Sequence, residues 1–211
     1  MSNADRDALL GWIGRYYAGR LDKHGPTPRG VDWNGEESHR LRHRQFLRLF
    51  GSDPDASVLD LGCGYGDFLP FLREAGHRGR FVGYDLAAPM IEAARRLHGE
   101  GSDRAWHVCA APTVPEDYAI GSGILNVKGA TSEADWRAYV QDTIATLATA
   151  SRRGFAFNVL SLSSDPEKRR PDLYYADPVA ILRLCLDRYG RHVALLQDYG
   201  LWEFTVIVRH G

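Results

Sequence analysis

Apolar positions along the chain follow a helical period at first and a mixed strand and helix period afterwards. Over residues 9–18 apolar and aromatic side chains recur at helical spacing, and Gly25-Pro26-Thr27-Pro28-Arg29-Gly30 follows as a loop rich in turn formers. Asn34 stands three positions before Glu37, the pattern of a capping box, and predicts a helix that runs to Phe50. Ser52-Asp53-Pro54-Asp55 breaks that pattern. Beyond it, short apolar strands are predicted at 57–61, 80–84, 105–110, 118–125 and 155–160. Helices are predicted between them at 67–75, from Pro89, and from Ser132, where Trp136, Tyr139, Val140, Ile144 and Leu147 share one stripe. A further helix opens at Asp177-Pro178 and ends at Gly190, and two strands at 192–197 and 202–208 flank Asp198-Tyr199-Gly200.

Alternating strand and helix predicts a doubly wound, mostly parallel α/β sheet with helices on both faces. The last two strands are too close for a helical crossover, so they form a C-terminal antiparallel hairpin, giving seven strands in all. The expected organisation is one domain over 1–211. Residues 1–55 form an N-terminal helical lid, and 56–211 form a ligand-binding core.

Composition narrows the function classes. The 211 residues are 44% hydrophobic and 25% charged, an ordinary globular make-up long enough for one sizeable core. The 26 basic and 27 acidic side chains nearly cancel, which argues against a protein built to clamp nucleic acid. Cys63, Cys109 and Cys185 are few and widely spaced, as in a reduced cytoplasmic protein, and the eight histidines show no zinc spacing, so no metal is expected. No apolar run reaches the length of a membrane span, and the polar start, residues 1–7, lacks the apolar segment of a signal peptide.

The most informative stretch is Val58-Leu59-Asp60-Leu61-Gly62-Cys63-Gly64-Tyr65-Gly66. Its glycines permit a sharp turn at a strand end and close approach of backbone to a ligand. Asp85 closes the next strand, Phe81-Val82-Gly83-Tyr84-Asp85, where it can accept from two ribose hydroxyls. A nicotinamide fingerprint needs glycine at 67, and Asp67 stands there, a carboxylate facing the place of a pyrophosphate. The segment 59–66 closely resembles the first motif of class I S-adenosylmethionine-dependent methyltransferases, and the resemblance extends from about residue 57 to the C-terminus. It implies S-adenosylmethionine as cofactor and S-adenosylhomocysteine as product. It also implies that the loop of Gly62, Cys63, Gly64 and Gly66 wraps the methionine part and that Asp60 reaches its amino group. Asp85 matches the ribose-binding acid, and Leu86 the apolar neighbour that packs on adenine. Cys63 reads as a small space-filler, not a nucleophile.

Elsewhere the pattern thins. His107-Val108-Cys109-Ala110 has no carboxylate to hold adenine. Asn126, expected at the end of the fourth strand, either binds cofactor or acceptor or caps a turn. The amino-group signature Asn/Asp-Pro-Pro-Tyr of nucleic-acid methyltransferases is absent. Many small-molecule methyltransferases carry a helical lid with an aromatic and an arginine near the cofactor. Trp33 and Arg42 fit those places, with the Arg42 guanidinium fork suited to the methionine carboxylate. The alternative reading makes Arg40, Arg42, Arg44 and Arg48 a solvated basic face. His24 is a candidate to take a proton from an acceptor, and Tyr175 to contact one. The expectation is cytoplasmic methyl transfer to a small molecule at an N, O, S or C atom. The alternatives are an RNA or protein methyltransferase docking through the arginine-rich helix, or a module that binds the cofactor without turnover.

Overall fold

A computed structural model describes residues 2–211; Met1, part of the expected polar start and of the expected 1–211 domain, lies outside them. Its elements run α1 (Asn3–His24), a 3-10 turn (Pro28–Val31), α2 (Glu36–Phe50), β1 (Val58–Leu61), α3 (Phe68–Glu74), β2 (Phe81–Asp85), α4 (Ala88–His98) and β3 (Arg104–Val108). There follow β4 (Glu116–Gly121), α5 (Glu133–Thr149), β5 (Ser151–Leu160), a second 3-10 turn (Pro166–Lys168), α6 (Pro178–Tyr189), β6 (Val193–Leu196) and β7 (Glu203–Arg209).

The seven strands form one sheet in the order β3-β2-β1-β4-β5-β7-β6. The first five are parallel, and β7 runs antiparallel to both neighbours. The expected hairpin is therefore present, but its second strand inserts against β5 and leaves β6 at the edge. Burial follows the two-residue period of a strand. Leu59, Ala119, Phe155 and Phe157 face one core with Ile13 of α1, Trp136 and Ile144 of α5, and Ile181 of α6. Val58, Tyr118, Ile120 and Ala156 face the other, with Phe46 of α2, Phe68 of α3 and Ile91 of α4.

Several boundaries differ from expectation. Helix α1 is far longer than 9–18, because a capping box between Ser2 and Asp5 starts it early. The expected box at Asn34 does not form: α2 starts at Glu36 behind Gly35, with no side-chain cap. Strand β4 stops at Gly121, so Asn126 lies in the loop beyond it, not at its end. The lid also divides. α2 packs on the sheet through Phe46, Leu49 and Phe50, leaving α1 and the turn after it to cover the ligand edge. Among the described residues no helix is long and apolar enough to cross a membrane.

Candidate active site

The order of the sheet reverses between β1 and β4, and a cavity opens outside the carboxyl ends of these strands, the place where open α/β sheets bind ligands. It holds about 1100 Å³, counted to its open mouth. The glycine loop forms the floor. Gly62 turns with φ of 75°, and a Cβ there would meet the Ile124 side chain at 2.1 Å, so only glycine fits. Gly66 packs beneath the Trp106 ring, which spaces the loop from β3 and leaves Gly66 off the cavity wall.

The loop is held by its own backbone. Gly62 and Cys63 donate N–H bonds to the Tyr84 carbonyl at 2.7 and 3.0 Å, Gly66 donates to the Cys63 carbonyl, and Gly64 donates to the Asp85 carboxylate at 2.9 Å. These N–H groups are spent, so they are not free to cradle a phosphate. The Asp85 carboxylate also accepts from Ala87 N at 2.8 Å, tying the floor to the start of α4. Burial pushes its pKa up, against the pull of those backbone bonds.

Asp60 sits beneath the loop, 3% exposed, and its Oδ1 has no partner among the described residues. Burial first and the nearby Asp85 charge second raise its pKa to about 8. A buried and a half-buried carboxylate on one floor make a site suited to a ligand with positive charge and hydrogen-bond donors. Cys63, Leu86, Met90, Cys109 and Ala110 line the wall on the β2–β3 side, and the buried Ser122 Oγ on the β4 loop is also unpartnered.

The roof is Trp33 with α1, which contributes Leu10, Ile13 and Tyr17. Trp33 is placed by the 3-10 turn. Its N–H bonds the Pro28 carbonyl at 2.8 Å, and Asp32 before it is pinned by the Tyr16 hydroxyl at 2.8 Å and Arg20 at 2.9 Å. The indole then packs against the Gly123 backbone, across the cavity mouth, where a Cβ would come within 2.3 Å of the ring.

Arg42 does not supply a free guanidinium to the cavity. It is 7% exposed and donates through Nε and Nη2 to the fully buried Glu203 carboxylate, each at 2.7 Å, while its plane lies 3.8 Å over the Trp33 ring. Glu203 also accepts from Asn158 Nδ2 at 3.0 Å, and Asn158 Oδ1 accepts from Gly123 N at 2.7 Å. This buried chain fastens the roof to the loop after β4. Of the other arginines of the basic face, Arg40 pairs with Glu74 at 2.6 Å. Asn126 is buried and accepts from Leu160 N at 3.1 Å, away from the cavity wall. His24, at the end of α1, and Tyr175, whose hydroxyl accepts from Arg170 N, do not line the cavity either.

Asp60, Gly62, Cys63, Gly64, Asp85, Leu86 and Trp33 are thus brought together, and Gly66, Arg42, Asn126, His24 and Tyr175 are not. Sequence reasoning missed Glu203 and Asn158, whose roles come from strand order. It also missed His39 and His43 on the cavity wall, although their four-residue spacing on a predicted helix was visible.

The methyltransferase domain model matches residues 58–149. A Mycobacterium tuberculosis protein named as a methyltransferase is 45% identical over 164 residues, which cover 77% of this chain and 98% of that one. The chain belongs to the class I S-adenosylmethionine-dependent methyltransferases. Within this family the fold is shared with magnesium protoporphyrin IX methyltransferase from Synechocystis PCC 6803, solved with S-adenosylhomocysteine (TM-score 0.69, 13% identity, 98% of this chain and 100% of that one). It is also shared with DhpI in complex with S-adenosylhomocysteine (TM-score 0.64, 15% identity, 96% and 97%). The trans-aconitate 2-methyltransferase of Azoarcus sp. is 32% identical over 87 residues, which cover 39% of this methyltransferase and 33% of that one.

Proposed function

We propose that this methyltransferase binds S-adenosylmethionine on the glycine loop and transfers its methyl group to a small-molecule acceptor under the α1–Trp33 roof. The observation that carries the cofactor assignment is the unpartnered Asp60 Oδ1 beneath a loop whose N–H groups are already spent. A buried acceptor without a donor is costly, and an ammonium group in the loop satisfies it. Asp85 keeps lone pairs beyond its two backbone bonds for ribose hydroxyls, and Leu86 and Met90 offer an apolar seat for an adenine ring.

When bound, the sulfonium of this cofactor is already electrophilic, so the protein's work is mainly alignment and exclusion of water. The roof does the second, since Trp33, Leu10 and Ile13 replace solvent above the floor. A cavity roofed by single side chains of α1 and by Trp33 suits a small acceptor, since such sites are concave and lined mainly by apolar groups. The near-zero net charge and the Arg42–Glu203 and Arg40–Glu74 pairs speak against docking of RNA on α2. Cytoplasmic action is part of this reading and is supported by three free cysteines. The test is a calorimetric titration with S-adenosylhomocysteine, then a mass-spectrometric screen of acceptors with isotope-labelled donor. One-to-one binding with label in a small product supports the reading. Absence of S-adenosylhomocysteine binding overturns the cofactor assignment, and label found only in RNA or protein overturns the acceptor class.

A further inference from the structure

One group of side chains on the cavity wall has no place in this account. His39 and His43 lie one turn apart on α2, with ring centroids 4.4 Å apart, and Asp67 faces both from the end of the glycine loop. Asp67 Oδ2 is 3.4 Å from His39 Nδ1 and 4.0 Å from His43 Nδ1, and one donor atom from each of the three residues falls within a 4.8 Å span. His43 is 2% exposed, wedged against the Phe68 and Phe71 rings at 4.9 and 5.2 Å, and its Nδ1 has no hydrogen-bond partner among the described residues. Asp67 precedes α3 but makes no capping bond to it, so its carboxylate is free to turn toward the histidines.

We propose that His39 Nδ1, His43 Nδ1 and the Asp67 carboxylate bind one divalent transition-metal ion, zinc in the first instance, on the wall of the methyl-transfer cavity. Two ligands at about 2.0–2.1 Å from a tetrahedral ion lie about 3.4 Å apart, so the observed spacings close onto an ion with shifts of about an ångström. Two imidazoles joined to one carboxylate suit zinc, and do not suit magnesium or calcium, which take oxygen ligands. The ion supplies the partner that His43 Nδ1 lacks. Three protein ligands leave at least one coordination position unfilled, the pattern of a catalytic zinc site. All three residues line the cavity, so that position adjoins it and can take an oxygen or nitrogen atom of a ligand there. Only this last step, coordination of the acceptor, rests on the methyl-transfer reading.

The experiment is a calorimetric titration of the chelator-treated protein with zinc chloride, repeated with cobalt(II) to read its visible absorption, with no cofactor present. One zinc per chain is expected, with affinity about tenfold or more weaker in Asp67→Asn and about a hundredfold weaker in His39→Ala, and with magnesium unable to compete. His192→Ala, on the surface far along the chain, serves as the control for adventitious histidine binding. If His39→Ala fails to fold, Asp67→Asn decides alone, because its side chain is more than a third exposed. Substoichiometric binding, or equal zinc affinity in wild type, Asp67→Asn and His39→Ala, overturns the site. S-adenosylhomocysteine affinity of the metal-free protein is measured in parallel, and its persistence separates failure of the metal site from failure of the cofactor assignment.

Discussion

The floor of the cavity and its roof are built by different means. The floor is local. Its defining bond, Gly64 N to Asp85, joins residues 21 positions apart on neighbouring parallel strand ends, and the loop's bonds to Tyr84 and Cys63 span no more than about that distance in sequence. The roof is remote. Trp33 is held by Arg42, Arg42 by Glu203 at a separation of 161 positions, and Glu203 by Asn158 at a separation of 45. The floor also leaves a buried carboxylate oxygen unpaired for a ligand, whereas the roof's buried charges are paired within the protein. A binding surface keeps unspent polar groups, and a fastening spends them.

The largest effect should come from breaking the fastening. Arg42→Ala leaves the Glu203 carboxylate buried without its cation, a change that costs about 3–5 kcal/mol when a buried pair is broken. Urea unfolding measures it. The double variant Arg42→Met, Glu203→Leu should recover much of that loss, because two apolar side chains remove both charges together. A loss below about 1 kcal/mol in Arg42→Ala would show that the roof is not fastened by this pair, and the contrast with the floor would fall.

Next comes the floor itself. Asp85→Ala removes the acceptor of Gly64 N and Ala87 N, and unsatisfied buried N–H groups cost about 1–3 kcal/mol each. The same change removes the proposed ribose contact, so affinity for S-adenosylhomocysteine should fall about tenfold or more, each factor of ten being about 1.4 kcal/mol. Calorimetry on folded variant reads this. Asp85→Asn keeps one acceptor oxygen and should fall between the two. Unchanged affinity in a folded Asp85→Ala would remove the ribose assignment and leave Asp85 as a tie between loop and helix.

The contrast explains which parts were legible in the sequence. Strand β1, the glycine loop and Asp85 are fixed by a spacing that local physics requires, and they appear in the structure within a residue of expectation. The stripe on α5 and the Asp177 cap of α6 were equally local and equally clear. Arg42 was misread because its partner lies on β7, which reaches it only after inserting between β5 and β6. Nothing in the last two strands of the sequence marks that insertion. Asn126 failed for a similar reason. It was expected at a strand end, but β4 stops at Gly121 and the next residues turn away to pair with β5. His39 and His43 were visible as a spaced pair, but their third partner belongs to the glycine loop and was weighed only against a pyrophosphate.

A smaller effect should follow from the pH dependence of Asp60. Its folded-state pKa, about 8, lies above the ordinary carboxylate value, so the folded protein keeps a proton that the unfolded chain releases. Stability from this group is fully present below about pH 4 and is lost as pH rises toward 8, with a slope of at most about 1.4 kcal/mol per pH unit. Asp60→Asn should flatten that slope in thermal unfolding across pH 5 to 8. Binding of an ammonium group favours the ionised carboxylate, so wild-type affinity for S-adenosylhomocysteine should rise with pH over the same window, with release of a proton. A wild-type affinity that is flat with pH, or that rises equally in Asp60→Asn, would assign the unpaired oxygen to something other than the cofactor's amino group.

The smallest effects belong to the two residues that sequence reasoning placed nearest the chemistry and the structure places off the cavity. His24 ends α1, and its Nε2 makes no hydrogen bond among the described residues, so replacing the ring removes none of the bonds they form. Burial and the cations Arg20 and Lys23 depress its pKa, so its neutral form prevails and no charge is lost in His24→Ala near neutral pH. Tyr175 accepts one bond from Arg170 N in an exposed loop, where water replaces it in Tyr175→Phe. Both variants should keep methyl-transfer rate and melting temperature close to wild type, the rate within about twofold. Neither side chain stands within reach of an acceptor beneath Trp33, and a proton cannot be taken across a roof that excludes water. A hundredfold loss of turnover in either variant, with S-adenosylhomocysteine affinity unchanged, would mean that the roof opens and rearranges during turnover. The roof would then be a moving part of the site, and its buried Arg42–Glu203 fastening would have to break in each cycle.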